Sequence, residues 1–317
     1  MRRLRARIDY RLRNSLPRPL YYFVRRRYYD ARTLVRRNPG RGRLLPDFII
    51  IGAAKSGTTS LYGSLCEHPF VRPCVTTDPH FLNTKEVHFF DYNFYRGTDW
   101  YRSHFPLKRE RDDFAREHGR PFLTGEASPP YISHLWAPQR IRRLLPDVKL
   151  IAVLRNPVDR AYSQFTMSRR EGVEELESFE EAIAREADRL APEIARMSAD
   201  PRYNSWDFGC WSYLARSRYA EQLERWLELF PREQFLFLKA EDLFVQPEQV
   251  LEQTHEFLGL PTYLPQEVPR LNTSEYDALH PETRARVAEY FRPHNERLYE
   301  LIGINFGWER ETETLVV

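Results

Sequence analysis

LPDFIIIGAAKSGTTSLYGSL (Leu45–Leu65) is the stretch on which the fold turns. Phe48-Ile49-Ile50-Ile51 is short, continuous and rich in β-branched residues, the pattern of a strand buried on both faces of a parallel sheet. Gly52 ends it, a small-residue loop follows, and Leu61 and Leu65 then lie one helical turn apart. A strand that feeds a helix through such a loop is where α/β proteins bind anions. Glycines let the backbone approach closely, and the N–H groups of the helix N-terminus point at the ligand. Lys55 adds a point charge; Thr58, Thr59 and Ser60 add hydroxyl donors. A phosphate-like group is the natural guest, although an ordinary Gly/Ser/Thr-rich turn with an exposed lysine fits the same letters. The loop is not a Walker A motif, because Lys55 precedes Gly57 instead of following the second glycine.

Working outward, VKLIAVL (148–154) reads as a second buried strand, ended by Arg155-Asn156-Pro157, with Asp159, Arg160 and Ser163 beyond. Pro157 suits the first position of a helix, which puts Ser163 about two turns along and Arg155 just ahead of it. Arg155 and Ser163 converging on one phosphate make a second anion site; plain helix capping is the alternative. FLTGE (122–126) and QFLFL (234–238) are weaker strands. Ser178-Phe179-Glu180-Glu181 has the capping-box form and predicts a helix carrying Ile183 and Leu190. Tyr219, Leu223, Trp226, Leu227 and Phe230 share one face, stopped by Pro231. Helices are also expected from Pro247 to Gly259 and from Pro281 to Gly303, the second bent near Pro293. Strands alternating with helices imply an α/β fold with a mostly parallel sheet. Trp206, Trp211, Trp226 and Trp308 are expected in the core, with stacking of an exposed tryptophan on a sugar as the alternative.

The 317 residues carry a net charge of +3 that hides an asymmetry. Residues 1–43 hold 15 arginines and two acids, a net +13, which leaves 33 bases and 43 acids, a net −10, in the rest. The chain is a basic arm (1–43) on an acidic body (44–310) with a short C-terminal tail (311–317). The arm suits docking on an anionic membrane surface or polymer. No run of 18 apolar residues predicts a membrane span, and no apolar segment follows the N-terminal arginines as in a secretory signal. The three cysteines fit no zinc module and favour a reducing compartment. A cytoplasmic location is expected, peripheral at the inner membrane face through the arm.

KSGTTSL (55–61) and RNPVDRAYSQF (155–165) resemble the 5′-phosphosulfate loop and the 3′-phosphate segment of sulfotransferases, which use 3′-phosphoadenosine-5′-phosphosulfate (PAPS) as donor and release 3′-phosphoadenosine 5′-phosphate (PAP). The likeness continues in family order through KEVHFFD (85–91), GEASPPYI (125–132), YAEQLERWLELFP (219–231), EDLFVQPEQVLEQTHEFLGLP (241–261) and RPHNERLYELIG (292–303). It covers roughly residues 46–308 and is nearest to heparan sulfate N- and 3-O-sulfotransferases and bacterial carbohydrate sulfotransferases. It implies a single P-loop-NTPase-like α/β domain with a central, mostly parallel sheet flanked by helices.

By this resemblance Lys55, Ser56, Gly57, Thr58, Thr59 and Ser60 hold the 5′-phosphosulfate, with Lys55 stabilising the departing phosphate charge, while Arg155 and Ser163 hold the 3′-phosphate. Glu86 matches the general base of the heparan sulfate enzymes, and His88 and Asp91 match acceptor-site residues. Glu86 and His88, two apart, share a face in an extended segment, and a partly desolvated Glu is expected to have a raised pKa suited to taking a hydroxyl proton. The implied acceptor is a carbohydrate or glycolipid hydroxyl or amine. His88 as base, acting on a phenol, alcohol or lipid, is the alternative. No metal is required by the resemblance. Two departures stand out: Ala127 occupies a position where 3-O-sulfotransferase relatives carry a lysine, and a C-terminal Lys-Gly-Arg element is replaced by LNTSEYDALHP (271–281), leaving Asn272 and Tyr276 as candidate lid or acceptor contacts. Two other classes fare worse. A phosphotransferase lacks its Walker A and magnesium carboxylates, and the acidic body argues against nucleic-acid binding.

Overall fold

The computed structural model describes residues 42–75, 85–264 and 277–309. The basic arm up to residue 41, Asn272 and Tyr276, and the tail from residue 310 lie outside the described residues. Five strands form one sheet: β1 (Phe48–Gly52), β2 (Val71–Pro73), β3 (Leu123–Ala127), β4 (Lys149–Leu154) and β5 (Phe235–Lys239). Their order is β2-β3-β1-β4-β5, and every pairing is parallel. Ile50 stands opposite Ala127 on one side and Ile151 on the other. β1 is therefore central, which is why Phe48–Ile51 are all fully buried and read as an unbroken apolar run. Truncating one of these isoleucines to alanine costs about 2–5 kcal/mol.

After β1 the chain leaves toward β2 and β3; after β4 it leaves toward β5. The loops at the carboxyl ends of β1 and β4 thus diverge, and a ligand crevice opens between such loops. The helices are α1 (Thr58–Leu65), α2 (Thr98–Arg102), α3 (Lys108–His118), α4 (Ala137–Leu144), α5 (Pro157–Arg170), α6 (Phe179–Ala184), α7 (Glu186–Ala199), α8 (Trp206–Trp211), α9 (Tyr219–Leu227), α10 (Ala240–Val245), α11 (Pro247–Leu258) and α12 (Pro281–Ile302). A second apolar cluster, including Val158, Phe165, Phe179, Tyr213 and Phe291, joins α5, α6 and α12.

Pro157, Pro247 and Pro281 each open a helix, and Gly259 and Gly303 each close one, as the sequence predicts. Three expectations need correction. The helix begun by Ser178, whose side chain accepts from the Glu181 N–H, ends at Ala184 and restarts at Glu186, so Ile183 and Leu190 sit on different helices. The helix from Tyr219 ends at Leu227, three residues before Phe230. Trp206 is not a core residue: it is 68% exposed, whereas Trp226 and Trp308 are buried. α3 is unpredicted because none of its residues is buried, so no apolar stripe marks it.

Candidate active site

The site is built at the carboxyl ends of β1, β3 and β4. Gly52 is required there by close approach, since a Cβ would lie 2.4 Å from Ile132 Cγ2. The loop then turns over Lys55 (φ 73°) and Gly57 (φ 83°). Gly57 meets two demands: its φ is left-handed, and a Cβ would lie 2.9 Å from the Phe244 ring. No side chain caps α1, whose first turn is an anion-seeking terminus.

Cations crowd this loop. Burial first, and then the like charges of Arg170 and Arg155, lower the pKa of Lys55. Such crowding marks a place built to receive negative charge. Arg155 Nη1 donates to the Lys55 carbonyl (3.3 Å), and Tyr219 Oη donates to the Arg155 carbonyl (2.9 Å). Arg155 thereby joins the loops after β1 and β4, and Tyr219 at the start of α9 holds Arg155. Asn156 caps α5 by accepting from the Val158 N–H, and its own N–H donates to Glu241 (2.8 Å). Ser163 lies buried within α5. Arg160, by contrast, spends its guanidinium on Ser217, Gln164 and the Tyr213 carbonyl, and Asp159 pairs with Arg284. Both hold α5 in place.

Glu86, His88 and Asp91 form a chain. Glu86 Oε2 lies 2.9 Å from His88 Nε2, and His88 Nδ1 lies 2.7 Å from Asp91 Oδ2. Lys85 Nζ pairs with Glu86 Oε1 at 3.0 Å and donates to Thr58 Oγ1 at 3.2 Å. Burial by itself would lower the His88 pKa, but Asp91 and Glu86 outweigh it and raise it to about 10, so His88 is an imidazolium donating to both carboxylates. Burial would raise the Glu86 pKa, but Lys85 and His88 outweigh it and hold it down to about 2. The expected raised pKa of Glu86 is therefore corrected for the free protein. His88 is fully buried and Asp91 2% exposed, so neither presents a surface to an acceptor. The Glu86 side chain, 13% exposed, is the reachable member.

GEASPPY (125–131) moulds this segment, a role missed in its letters. Glu126 is fully buried. It accepts from Tyr101 Oη (2.6 Å), Ser128 Oγ (2.7 Å) and the Val87 N–H (3.2 Å). Ser128 Oγ also accepts from the N–H groups of Val87 and His88 (both 3.1 Å). Tyr131 Oη accepts from Phe89 (2.8 Å) and Phe90 (3.3 Å). Four consecutive N–H groups are thus fixed by side chains, which holds His88 at a φ of 52° that non-glycine residues rarely adopt. Burial raises the Glu126 pKa to about 7, against hydrogen bonds from Ser128, Tyr101 and Val87 that favour the anion. Ala127 is fully buried, and the cation beside Glu86 comes instead from Lys85. Arg216 is buried and lies beside Tyr92, Asp91 and Glu86; burial lowers its pKa, and the carboxylates of Asp91 and Glu86 offset part of that.

The family model for the sulfotransferase domain matches residues 45–284. Membrane-associated sulfotransferase kil1 of Dictyostelium discoideum is 29% identical over 86% of this chain and 68% of its own length. Human heparan sulfate glucosamine 3-O-sulfotransferase 6 is 31% identical over 85% of this chain and 75% of its own. The crystal structure of a sulfotransferase from Alicyclobacillus acidocaldarius superposes with a TM-score of 0.61 at 30% identity, over 84% of this chain and 99% of that one. Two anion-seeking loops at adjacent strand ends, a buried carboxylate chain beside them and a match running through most of the chain lead to one conclusion: the protein belongs to the sulfotransferase family.

Proposed function

We propose that the protein moves a sulfuryl group from PAPS to a hydroxyl or amine of a carbohydrate-type acceptor by in-line displacement, with Glu86 as general base. The observation that carries this reading is the single ammonium between Glu86 and Thr58: the base stands one hydrogen-bonded group away from the anion loop. The residues suit a donor with two separated phosphate-like groups. Lys55, residues 56–60 and the α1 terminus would hold the phosphosulfate; Arg155 and Ser163 would hold the 3′-phosphate. Gly57 keeps the loop clear of side-chain bulk beneath Phe244.

In this mechanism Lys55 neutralises charge growing on the leaving phosphate. Glu86 accepts the proton of the acceptor as its oxygen or nitrogen bonds to sulfur. His88 and Asp91 orient Glu86 from behind. His88 as base is disfavoured, since both its ring nitrogens are engaged by carboxylates. The carbohydrate class rests on relatives named as heparan sulfate glucosamine 3-O-sulfotransferases; a glycolipid headgroup offers the same hydroxyls. Residues 44–310 would form the catalytic unit, and the arm of residues 1–43 would hold it at an anionic surface. Among the described residues no helix is long and apolar enough to cross a membrane.

Calorimetry with PAP beside ATP and DNA tests the donor, with micromolar PAP binding expected. Radiosulfate transfer over polysaccharides, glycolipids, amino sugars and phenols, with Glu86→Gln as control, tests acceptor and base. Full turnover by Glu86→Gln would overturn the base assignment.

A further inference from the structure

Lys85 is more than a neighbour of Glu86. Its side chain is 3% exposed and its ammonium makes two contacts of different kinds, an ion pair at 3.0 Å with Glu86 Oε1 and a hydrogen bond at 3.2 Å with the neutral Thr58 hydroxyl. The backbone around it is held, since the Lys85 carbonyl accepts from the Ala127 N–H (3.1 Å) and the next residues are bound by Glu126 and Ser128. The flexible four-carbon stem is the part able to move. Thr58 opens α1 directly behind Gly57, so an anion in that loop arrives where Lys85 has only a neutral acceptor. An anion adds Coulomb attraction for the ammonium that the neutral hydroxyl lacks, and the incoming group and Glu86 therefore compete for one cation.

We propose that Lys85 changes partner during turnover: in the free protein it neutralises Glu86, and with PAPS in the loop it bonds a sulfuryl oxygen and leaves Glu86 free to act as base. This rests on the reading of the loop as the PAPS site and of Glu86 as the base. In the step that follows, the acceptor O–S bond forms, the bond between sulfur and the 5′-phosphate oxygen breaks with its electron pair going to that phosphate, and the acceptor proton goes to Glu86. The pairing of Glu86 before the donor arrives keeps it a poor base, as its depressed pKa requires. The other charged or titratable groups facing Glu86 are His88, with Asp91 behind it, Tyr92 and Arg216. Lys85 is the group that touches both Glu86 and the loop.

The test is PAPS affinity by calorimetry without acceptor, on the full chain, for wild type, Glu86→Gln, Lys85→Met and the double variant. Releasing the cation should make Glu86→Gln bind PAPS about tenfold more tightly, and Lys85→Met should bind about tenfold more weakly. In the Lys85→Met background the gain from Glu86→Gln should vanish. An equal or larger gain there means that Glu86 merely repels the anion, and overturns the proposal; so does the absence of any gain in Glu86→Gln. If Lys85→Met does not fold, Lys85→Gln takes its place in the cycle. At pH 5, buffers of different ionisation enthalpy should report more proton uptake (or less release) on PAPS binding by wild type than by Glu86→Gln, and equal proton exchange by the two overturns the proposal. Wild type that binds neither PAPS nor PAP sinks the donor reading along with it. Normal PAPS binding with an additive cycle sinks the partner change alone.

Discussion

The loops after β1 and β4 and the segment from Lys85 to Asp91 stand side by side but are made differently. The loops are built mainly from their own neighbours in sequence: a strand end, glycines, a helix start and cations a few residues away. The segment from Lys85 to Asp91 has no strand or helix of its own, and its shape is imposed by Glu126, Ser128 and Tyr131 from the end of β3. One region gathers like charges that an anion would relieve; the other arrives fully paired, carboxylate to imidazolium to carboxylate. The lesson is that a cluster of cations can be assembled locally, whereas the paired carboxylate–imidazolium chain depends on distant support.

The largest expected effect is on Glu86→Gln, whose turnover should fall about 10²–10⁴-fold with the fold intact; steady-state kinetics and circular dichroism check both halves. Lys55→Ala should lower turnover about 10²–10³-fold. Because its neighbours are cations, urea unfolding should show stability unchanged or raised. A clear loss of stability would break the contrast drawn here. Ser128→Ala is the opposite case: it removes the buried hydroxyl that accepts from the His88 N–H, shares the Val87 N–H with Glu126 and donates to Glu126, so about 1–3 kcal/mol of stability should go. The loss should appear mainly in kcat, with PAP affinity nearly unchanged by calorimetry.

A smaller, pH-dependent effect attaches to Glu126. Its folded pKa, about 7, lies above its ordinary value, so the native state holds the proton more tightly than the unfolded chain. Stability from this group is present at low pH and is lost as pH rises from about 4.5 to about 7. Denaturant unfolding at pH 5 and pH 8 should therefore show wild type losing more than Glu126→Gln. Equal losses would place the Glu126 charge elsewhere in the balance. The smallest effect belongs to Trp206→Ala, which should stay within about 0.5 kcal/mol of wild type because the side chain is mostly exposed.

These predictions track what could be read in the letters. Phe48–Ile51 and Leu150–Leu154 announced buried strands because a strand covered on both faces must be apolar at every position, and Pro157 marked a helix start by its fixed φ. Trp206 misled because size and apolarity favour burial on average, while α8 happens to leave it in solvent. Lys85 sat in plain view at the head of KEVHFFD, but a lysine beside a glutamate usually signals a solvated surface. Its burial and its reach to Thr58, 27 residues away, are not contained in any local pattern.

By itself the sequence determined the parallel α/β architecture and the two strand-to-helix loops with their cations, since periodicity, helix capping and glycine placement act over a few residues. The tertiary structure alone decided that Glu86 is held by Lys85 and His88, that Glu126, Ser128 and Tyr131 shape its segment, and that His88 and Asp91 lie out of an acceptor's reach. Ionisation and hydrogen bonding depend on which groups meet and how much water is excluded, and that is settled only when distant parts of the chain pack together.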